Sequence, residues 1–361
     1  INENFKELNF NNDKKNNENI ELIKDFEHNS IVLINGFLKS KNFKYENKEN
    51  IKISEYKNSK KNNKDESINS LIDLNNAFFG GGYFLEISRD YKFCKPLVVY
   101  NYFSNNLKNT IINNKNSIVL NENSNLDLIE FNLDISSSNF IHNNHTNIII
   151  SKNASLKNYT IQGCKSNCFY YKFVKSKLDK KSNYEDYIFL SGLKFSRTEE
   201  DIDIDGEDAN CIVQSALYLD LENHQEVKTK LNHLKPNCKS YQKIKNVLNK
   251  KSKSAYQGKI FVKDIAQKTD AYQLSRALLL DDSSEFNAKP ELEIYADDVK
   301  CSHGSTSGSI NEDSIYYMMT RGISKKKAIE LLTKAFLFEI ADSISKVEIK
   351  NFVEKNIDRQ I

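Results

Sequence analysis

Residues 126–131 read Leu-Asp-Leu-Ile-Glu-Phe, a short run in which apolar and acidic side chains alternate. Alternation with a period of two is typical of a β-strand with one buried face. Similar runs, rich in β-branched and aromatic residues, recur between about residues 74 and 280, separated by Asn, Ser, Gly or Lys turns: Tyr83 to Ile87, Leu97 to Tyr100, Ser117 to Leu120, Ile148 to Ile150, Tyr159 to Ile161 and Ile212 to Leu219. Many short strands predict a sandwich, a barrel or a β-solenoid. Asparagine tolerates the left-handed conformation of tight corners and so favours the solenoid, but no strict repeat decides among the three.

A different pattern, of helical type, begins after Gly308. Ser309 or Asn311 can cap a first helix, and Arg321 followed by Gly322 suits its end. Ser324 can cap a second helix, whose apolar residues recur at steps of three and four, and a third is predicted over Val347 to Asp358. The residues therefore indicate a β body, 74–308, followed by a helical domain, 309–361.

Composition excludes several classes of protein. The 361 residues include 52 basic and 49 acidic side chains, so the net charge is only +3. No global field attracts nucleic acid or an anionic membrane, and no apolar run reaches the length of a membrane span. We therefore expect neither as a partner. The six cysteines fit no secreted disulfide framework, and reduced thiols are expected.

The N-terminal region, 1–73, mixes short apolar runs with polar tracts at Asn11 to Asn19 and Lys57 to Glu66. These tracts lack periodicity, so we expect loops or disordered insertions there and no defined fold for the region. The sequence begins with Ile1 and no signal peptide precedes it, so we interpret it as a piece of a longer precursor.

Some sequence features that could bind a metal have simpler explanations. Cys164 and Cys168 have a spacing that could chelate zinc, but two more ligands would be needed. His142 and His145 lie in an Asn-rich stretch that we expect to be a solvated loop. His224 and the residue at the other end of its predicted strand, His233, are expected to be half-exposed and structural.

One acidic run suggests an alternative function. Between Glu199 and Asp205, the carboxylates at 201, 203 and 205 would share one face of a strand. Polysaccharide lyases and hydrolases on β-helices use clustered carboxylates, so this enzyme class stays open. A solvated edge is the simpler interpretation.

Cys301-Ser302-His303 is the strongest candidate site. If the strand that begins at Leu292 continues through residues 297–303, the side chains of Cys301 and His303 share one face, about 6.5 to 7 Å apart. A thiolate and an imidazole so placed can bind one soft metal or one edge of an iron–sulfur cluster. Two ligands do not complete a site, so the others would come from another strand or from a partner chain.

A long motif surrounds this dipeptide and resembles a known family. It reads Glu291-Leu-Glu-Ile-Tyr-Ala-Asp-Asp-Val-Lys-Cys-Ser-His-Gly304, then Ser305-Thr-Ser-Gly308 and Arg321-Gly-Ile323, with upstream matches at Gln257 to Val262, Gln273 to Leu280 and Lys289-Pro290. The motif is similar to the C-terminal signature of the SufD branch of the SufB/SufD family, the scaffold subunits of the SUF iron–sulfur cluster assembly complex. The resemblance is dense from about 225 to 340 and sparse from 74 to 224. Residues 175–186 look like an insertion.

The resemblance implies a right-handed parallel β-helix core with a C-terminal α-helical domain. It implies a non-catalytic scaffold that pairs with SufB through the β-helix and binds the SufC ATPase through the C-terminal helices, about Ile315 to Phe338. Cys301 and His303 would face a nascent cluster shared transiently with SufB, and no cofactor would be tightly bound. The abundant Asn, Lys and Ile, together with the expected precursor, favour a plastid stroma resembling that of the apicoplast. The cytoplasm of an A- and T-rich bacterium is the alternative.

Overall fold

A computed structural model describes residues 9–10, 22–56, 69–104, 107–134, 139–162 and 165–361. The fold is mainly β, with 54% of residues in strands, and forms a parallel β-solenoid of about seven turns with helices at its C-terminal end. The predicted solenoid and C-terminal helices are confirmed. The polar tracts Asn11 to Asn19 and Lys57 to Glu66 lie outside the described residues.

The strands follow one another closely along the chain. In order they are β1 (Asn9–Phe10), β2 (Asn29–Ile34), β3 (Phe37–Asn42), β4 (Ile51–Glu55), β5 (Tyr83–Ile87), β6 (Leu97–Phe103), β7 (Thr110–Leu120), β8 (Asn125–Asp134), β9 (Phe140–Ile150), β10 (Ser155–Gln162), β11 (Ser166–Leu178), β12 (Asn183–Ser191), β13 (Leu193–Ile204), β14 (Asn210–Leu219), β15 (His224–His233), β16 (Lys239–Leu248), β17 (Lys253–Val262), β18 (Asp270–Leu279), β19 (Glu285–Ile294) and β20 (Lys300–Gly308). The helices are α1 (Ser70–Phe78), α2 (Glu312–Thr320), α3 (Lys325–Ala341) and α4 (Val347–Asp358).

From β5 onward, successive strands alternate between two sheets. Sheet A runs β19-β17-β15-β13-β11-β9-β7-β5-β4, and sheet B runs β20-β18-β16-β14-β12-β10-β8-β6-β2-β3. The pairs are parallel except β2 with β3 and β4 with β5. Each turn of the chain therefore adds one strand to each sheet, and the side chains of alternate residues fill the space between the sheets, called the interior below.

The tight corners between the strands explain why asparagine is common and why the sequence has no strict repeat. Asn123, Asn153 and Asn237 stand at equivalent corners with φ of 60°, 56° and 60°. This left-handed conformation costs Asn less than most other residues. Stacked side chains are 30 positions apart between Asn123 and Asn153, but 27 apart between Asn183 and Asn210. Turn length thus varies, and a strict sequence period is not to be expected.

Two segments join the sheets where the sequence suggested irregular structure. Strand β2 pairs in parallel with β6, so part of residues 1–73 belongs to sheet B. Residues 175–186, which look like an insertion in the sequence, have regular structure. They form the end of β11, a turn and the start of β12, all in register with the neighbouring turns, because their alternate side chains, such as Leu178 and Tyr184, fill the interior.

Helix α1 and the C-terminal helices cover opposite sides of the solenoid. The Asn75 side chain of α1 donates to the carbonyl oxygens of Asn114 and Asn143 on sheet A. On sheet B, α3 lies over β14 and β16, and α4 over β10 and β12. The predicted N-caps Asn311 and Ser324 begin α2 and α3, and the third helix has the predicted bounds. No helix in the described ranges is both long and apolar enough to cross a membrane.

Candidate functional site

Strand β20, which carries Cys301 and His303, forms the last turn of the solenoid. The chain does not continue one strand from Leu292 to His303: β19 ends at Ile294 in sheet A, and β20 begins at Lys300 in sheet B. Cys301 and His303 are still two positions apart on one strand, so both face the interior, and Ser302 between them faces outward. In the described part of the chain, no strand follows β20 in its sheet.

Cys301 lies at the edge of a small apolar cluster. Its neighbours include Ala271, its register partner on β18, and Val299. The thiol is half-buried, and burial raises its pKa, although a hydrogen bond with the backbone of Ala271 opposes the shift. The thiol therefore stays protonated at neutral pH until a cation stabilises the thiolate.

His303 is exposed at the open end of the interior. Its register partner is Gln273, which is completely buried on β18. The structure thus places the two predicted ligands on one face of one strand, with solvent or a partner on one side. Within the described ranges, no three His, Cys, Asp or Glu side chains form a group that could hold a metal.

Deeper in the interior lies a charged cluster that the sequence reasoning missed. The Lys172 ammonium lies 2.8 Å from Glu130 Oε1 and 2.7 Å from Thr160 Oγ1, and both charged side chains are at least 95% buried. Asp186 and Glu200 complete the cluster, both almost fully buried. Burial and the negative charge of Asp186 raise the pKa of Glu200 well above its usual value. The signal in the sequence was the position of Glu130 and Lys172, two residues from apolar interior positions.

The histidines in the Asn-rich stretch are not in a solvated loop. His142 and His145 lie on β9 and are buried, so that prediction is wrong. Two aromatic rings flank His142, those of Phe103 and Tyr170, and desolvation lowers its pKa to about 3. The run of Asn on each side had hidden the strand, because buried Asn side chains in this part of the solenoid hydrogen-bond to those of the next turn.

Of the other predictions for histidines, the one for His224 is confirmed and the one for His233 is wrong. His224 is half-exposed as expected, while His233 at the opposite end of β15 is completely buried, against the prediction. Cys168 is a buried free thiol, and Cys164 lies outside the described residues, so the zinc hypothesis has no structural support here.

The acidic run on β13 has its expected geometry. Asp201, Asp203 and Asp205 share the outer face of sheet A, where Lys175 pairs with the first two at 3.2 and 2.9 Å and Lys177 with the third at 2.8 Å. Each of the three carboxylates therefore takes part in a surface ion pair with one of two lysines. This arrangement does not favour a glycoside-cleaving site.

The C-terminal helices divide into an anchored part and an exposed part. Leu337 and Ile340 in the second half of α3 are buried against sheet B. The fully buried Lys245 of β16 reaches this half: its ammonium donates to the Phe336 carbonyl oxygen at 2.8 Å, lies 4.2 Å from the Phe336 ring centroid and pairs with Glu339.

The exposed part comprises α2 and the first half of α3. Tyr316, Tyr317 and Met319 are 70%, 60% and 45% exposed. The Arg321 guanidinium lies 5.1 Å from the centre of the Tyr317 ring. Within the predicted docking segment Ile315 to Phe338, the side chain of Tyr316 is exposed, whereas those of Met318 and Phe338 are half-buried.

Comparison with known proteins identifies the family. Residues 102–336, about two thirds of the chain, match the SUF system FeS cluster assembly, SufBD core domain. The chain is 33% identical over 174 residues to the iron–sulfur cluster assembly protein SufD of Escherichia coli, covering 48% of this chain and 41% of that protein.

Two further relatives come from organisms with plastids. The chloroplastic protein ABCI7 of Arabidopsis thaliana is 29% identical over 58% of this chain and 44% of its own length. SufD of Plasmodium falciparum is 26% identical over 64% of this chain and 16% of its own length. The chain thus spans less than half the length of these relatives. Together with the two-sheet solenoid and its terminal strand, these matches show that the chain belongs to the SufBD family of SUF iron–sulfur cluster assembly proteins.

Proposed function

We propose that this chain is a scaffold subunit, without catalytic activity of its own, that presents Cys301 and His303 to an iron–sulfur cluster assembled at an interface with SufB. The observation that carries the proposal is the position of both side chains on the interior face of the last strand, at an open end of the solenoid. The cluster is cargo that passes through the site, so no tightly bound cofactor is required.

The open end favours pairing with a second solenoid. Neither β19 nor β20 has a following strand in the described residues, so each presents a row of backbone donors and acceptors. The apolar interior side chains Leu292 and Ile294 are only partly buried there. An edge with these properties pairs well with the edge of a homologous β-solenoid, which supports SufB as the partner.

The chemistry of the two ligands also favours a shared site. Thiolate and imidazole are good ligands for iron, but two donors leave a tetrahedral iron incomplete. The raised pKa of the Cys301 thiol means that metal binding must displace its proton. Donors and positive charge supplied across the interface would accomplish both, so the complex should bind a cluster far better than the subunit alone.

The exposed helical surface favours the SufC ATPase as a second partner. Tyrosine, methionine and arginine are enriched in protein interfaces, and Tyr316, Tyr317, Met319 and Arg321 are among the exposed residues of α2 and its end. The opposite half of α3 is anchored on sheet B, so a protein bound at α2 would be connected rigidly to the solenoid.

The free thiols and the relatives support a reducing compartment, either a plastid stroma or bacterial cytoplasm. The five cysteines among the described residues form no disulfide, consistent with a reducing environment. A plastid stroma, as in the apicoplast, fits the Arabidopsis and Plasmodium relatives, and bacterial cytoplasm fits the Escherichia coli relative. Imaging the tagged native protein with a plastid marker distinguishes the two, since a diffuse bacterial or cytosolic signal contradicts the plastid assignment.

The test of the site is co-expression with SufB and SufC, followed by measurement of cluster yield from absorbance and bound iron. We expect H303A and C301S to lower the yield at least tenfold, and S302A, on the same strand but facing outward, to leave it unchanged. An unchanged yield in H303A with intact complex would remove His303 from the proposal.

For the helices, Y316A/Y317A should release SufC while SufB stays bound, and SufC retained by a chain ending at Gly308 would contradict the docking surface.

A further inference from the structure

Four buried polar side chains form a hydrogen-bonded row through the interior toward the last turn of the solenoid. This row, called the file below, consists of Thr229, Gln242, Tyr256 and Gln273. The Thr229 hydroxyl on β15 donates to Gln242 Oε1 on β16 at 2.5 Å. The Tyr256 hydroxyl on β17 lies 3.2 Å from Gln242 Oε1 and 3.1 Å from Gln273 Oε1 on β18. Gln273 Nε2 donates to the Glu291 carbonyl oxygen on β19 at 3.3 Å. Each step moves to the opposite sheet, one strand further along the chain.

The absence of a side chain at Gly258 leaves room for the Tyr256 hydroxyl and the Gln273 amide. A Cβ atom at Gly258 would lie 2.2 Å from both the Tyr256 hydroxyl and Gln273 Oε1. Real Cβ contacts are essentially never so close, so a larger residue at 258 would force the phenol or the amide to shift. All four side chains of the file are at least 99% buried, and each buried polar group of this kind needs its partner.

The next strand after β19 is β20, and His303 stands at the next position of the file. Gln273 and His303 are register partners on adjacent parallel strands, so their backbones are about 4.8 Å apart and their side chains face the same interior. The Gln273 amide has two N–H groups and two oxygen lone pairs. One N–H is used by Glu291 and one lone pair by Tyr256, which leaves one donor and one acceptor for a neighbour.

We propose that Gln273 is a positioning residue that accepts the N–H of one His303 ring nitrogen, and that Tyr256 holds the Gln273 amide in place for this. Histidines that bind metals nearly always donate their other N–H to an oxygen, which fixes the tautomer and the ring orientation. In a neutral imidazole only one nitrogen carries a hydrogen, so a ring that donates to Gln273 Oε1 presents the lone pair of its other nitrogen to iron. This inference rests on the proposed function of His303.

The test uses Q273L and Y256F in the complex with SufB, with S254A as the matched control. Ser254 lies on β17, is equally buried and donates to Asn246 Oδ1 at 3.0 Å, away from the His303 position. We expect Q273L to change the His303 tautomer ratio seen by ¹⁵N-histidine NMR and to weaken Co²⁺ binding, used as the probe, about 10- to 100-fold. Y256F should produce a smaller change in the same direction, and S254A none.

Two results would overturn the inference. One is an unchanged His303 tautomer ratio in folded Q273L, and the other is an effect of S254A as large as that of Y256F, which would reveal general loosening of the interior. If Q273L does not fold, Y256F against S254A decides alone. If H303A lowers cluster yield but Q273L leaves the tautomer unchanged, only this inference fails. If H303A has no effect, the proposed function fails.

Discussion

Replacing Lys172 tests whether the interior charges are balanced as the structure shows. Lys172 lies among three carboxyl groups, those of Glu130, Asp186 and Glu200, and is their only nearby cation in the described interior. Burial is the largest effect and disfavours its ammonium, but the attractions of Glu130, the Tyr170 phenol and Asp186 together outweigh burial and raise the pKa of Lys172. K172M keeps the length and most of the volume of the side chain and removes the charge, which leaves Glu130 buried and unpaired.

The magnitude follows from the loss of one member of a buried pair. Removing one partner costs about 3–5 kcal/mol, because the other charge stays desolvated. With an unfolding entropy of about 2.1 cal/mol/K for each of the 361 residues, 1 kcal/mol corresponds to about 1.3 °C, so the expected fall in Tm is about 4–7 °C. Replacing both members, in K172M/E130Q, should recover part of the loss, because Glu130 no longer carries a buried charge while Asp186 still lacks its cation.

The assay is scanning calorimetry and urea denaturation of the four members of the K172M and E130Q cycle. K175M is the matched control, because Lys175 is on the same strand but faces outward, 37% exposed, and should contribute less than about 1 kcal/mol. If K172M loses no more stability than K175M, or if the double variant is less stable than both single variants, the description of a paired interior cluster is wrong.

Three other variants have definite expected outcomes. The pKa of His142 is about 3 in the folded protein and near 6.5 in the unfolded chain, so the wild type loses stability as the pH falls below about 6.5. H142F removes this loss and should be about 2 kcal/mol more stable than the wild type at pH 5. An unchanged pH profile of denaturation would contradict this. Because the pKa of Glu200 is raised in the folded protein, the stability of the wild type falls as the pH rises from about 4.5. E200Q should therefore be more stable than the wild type at pH 8 but not at pH 4, and denaturation at both pH values measures the difference. K245M should loosen α3 by about 1–3 kcal/mol in hydrogen exchange, because it loses the Phe336 ring and carbonyl contacts, whereas K243M, which loses only a pair with the exposed Glu339, should have a smaller effect.

Local rules of sequence determined much of this structure. Short runs of β-branched and aromatic residues, many of them alternating, located strands such as β5, β8 and β14, because one side of a strand within the solenoid is sealed in the interior. Cap residues and apolar spacing located the helices, including the bounds Val347–Asp358 of α4, because these signals act within a few residues. The spacing of Cys301 and His303 placed both on one face for the same reason.

The tertiary structure alone decided which polar residues are buried. His142 sits among asparagines that look solvated in sequence, and only the stacking of turns shows that each amide meets another 28 to 30 positions away. Lys172 finds Glu130 42 positions back along the chain, and Gln273 meets Tyr256 across the two sheets. A strand's own pattern reports which face is inside, but whether a polar group can be accommodated there depends on the residue that the next turn brings beside it.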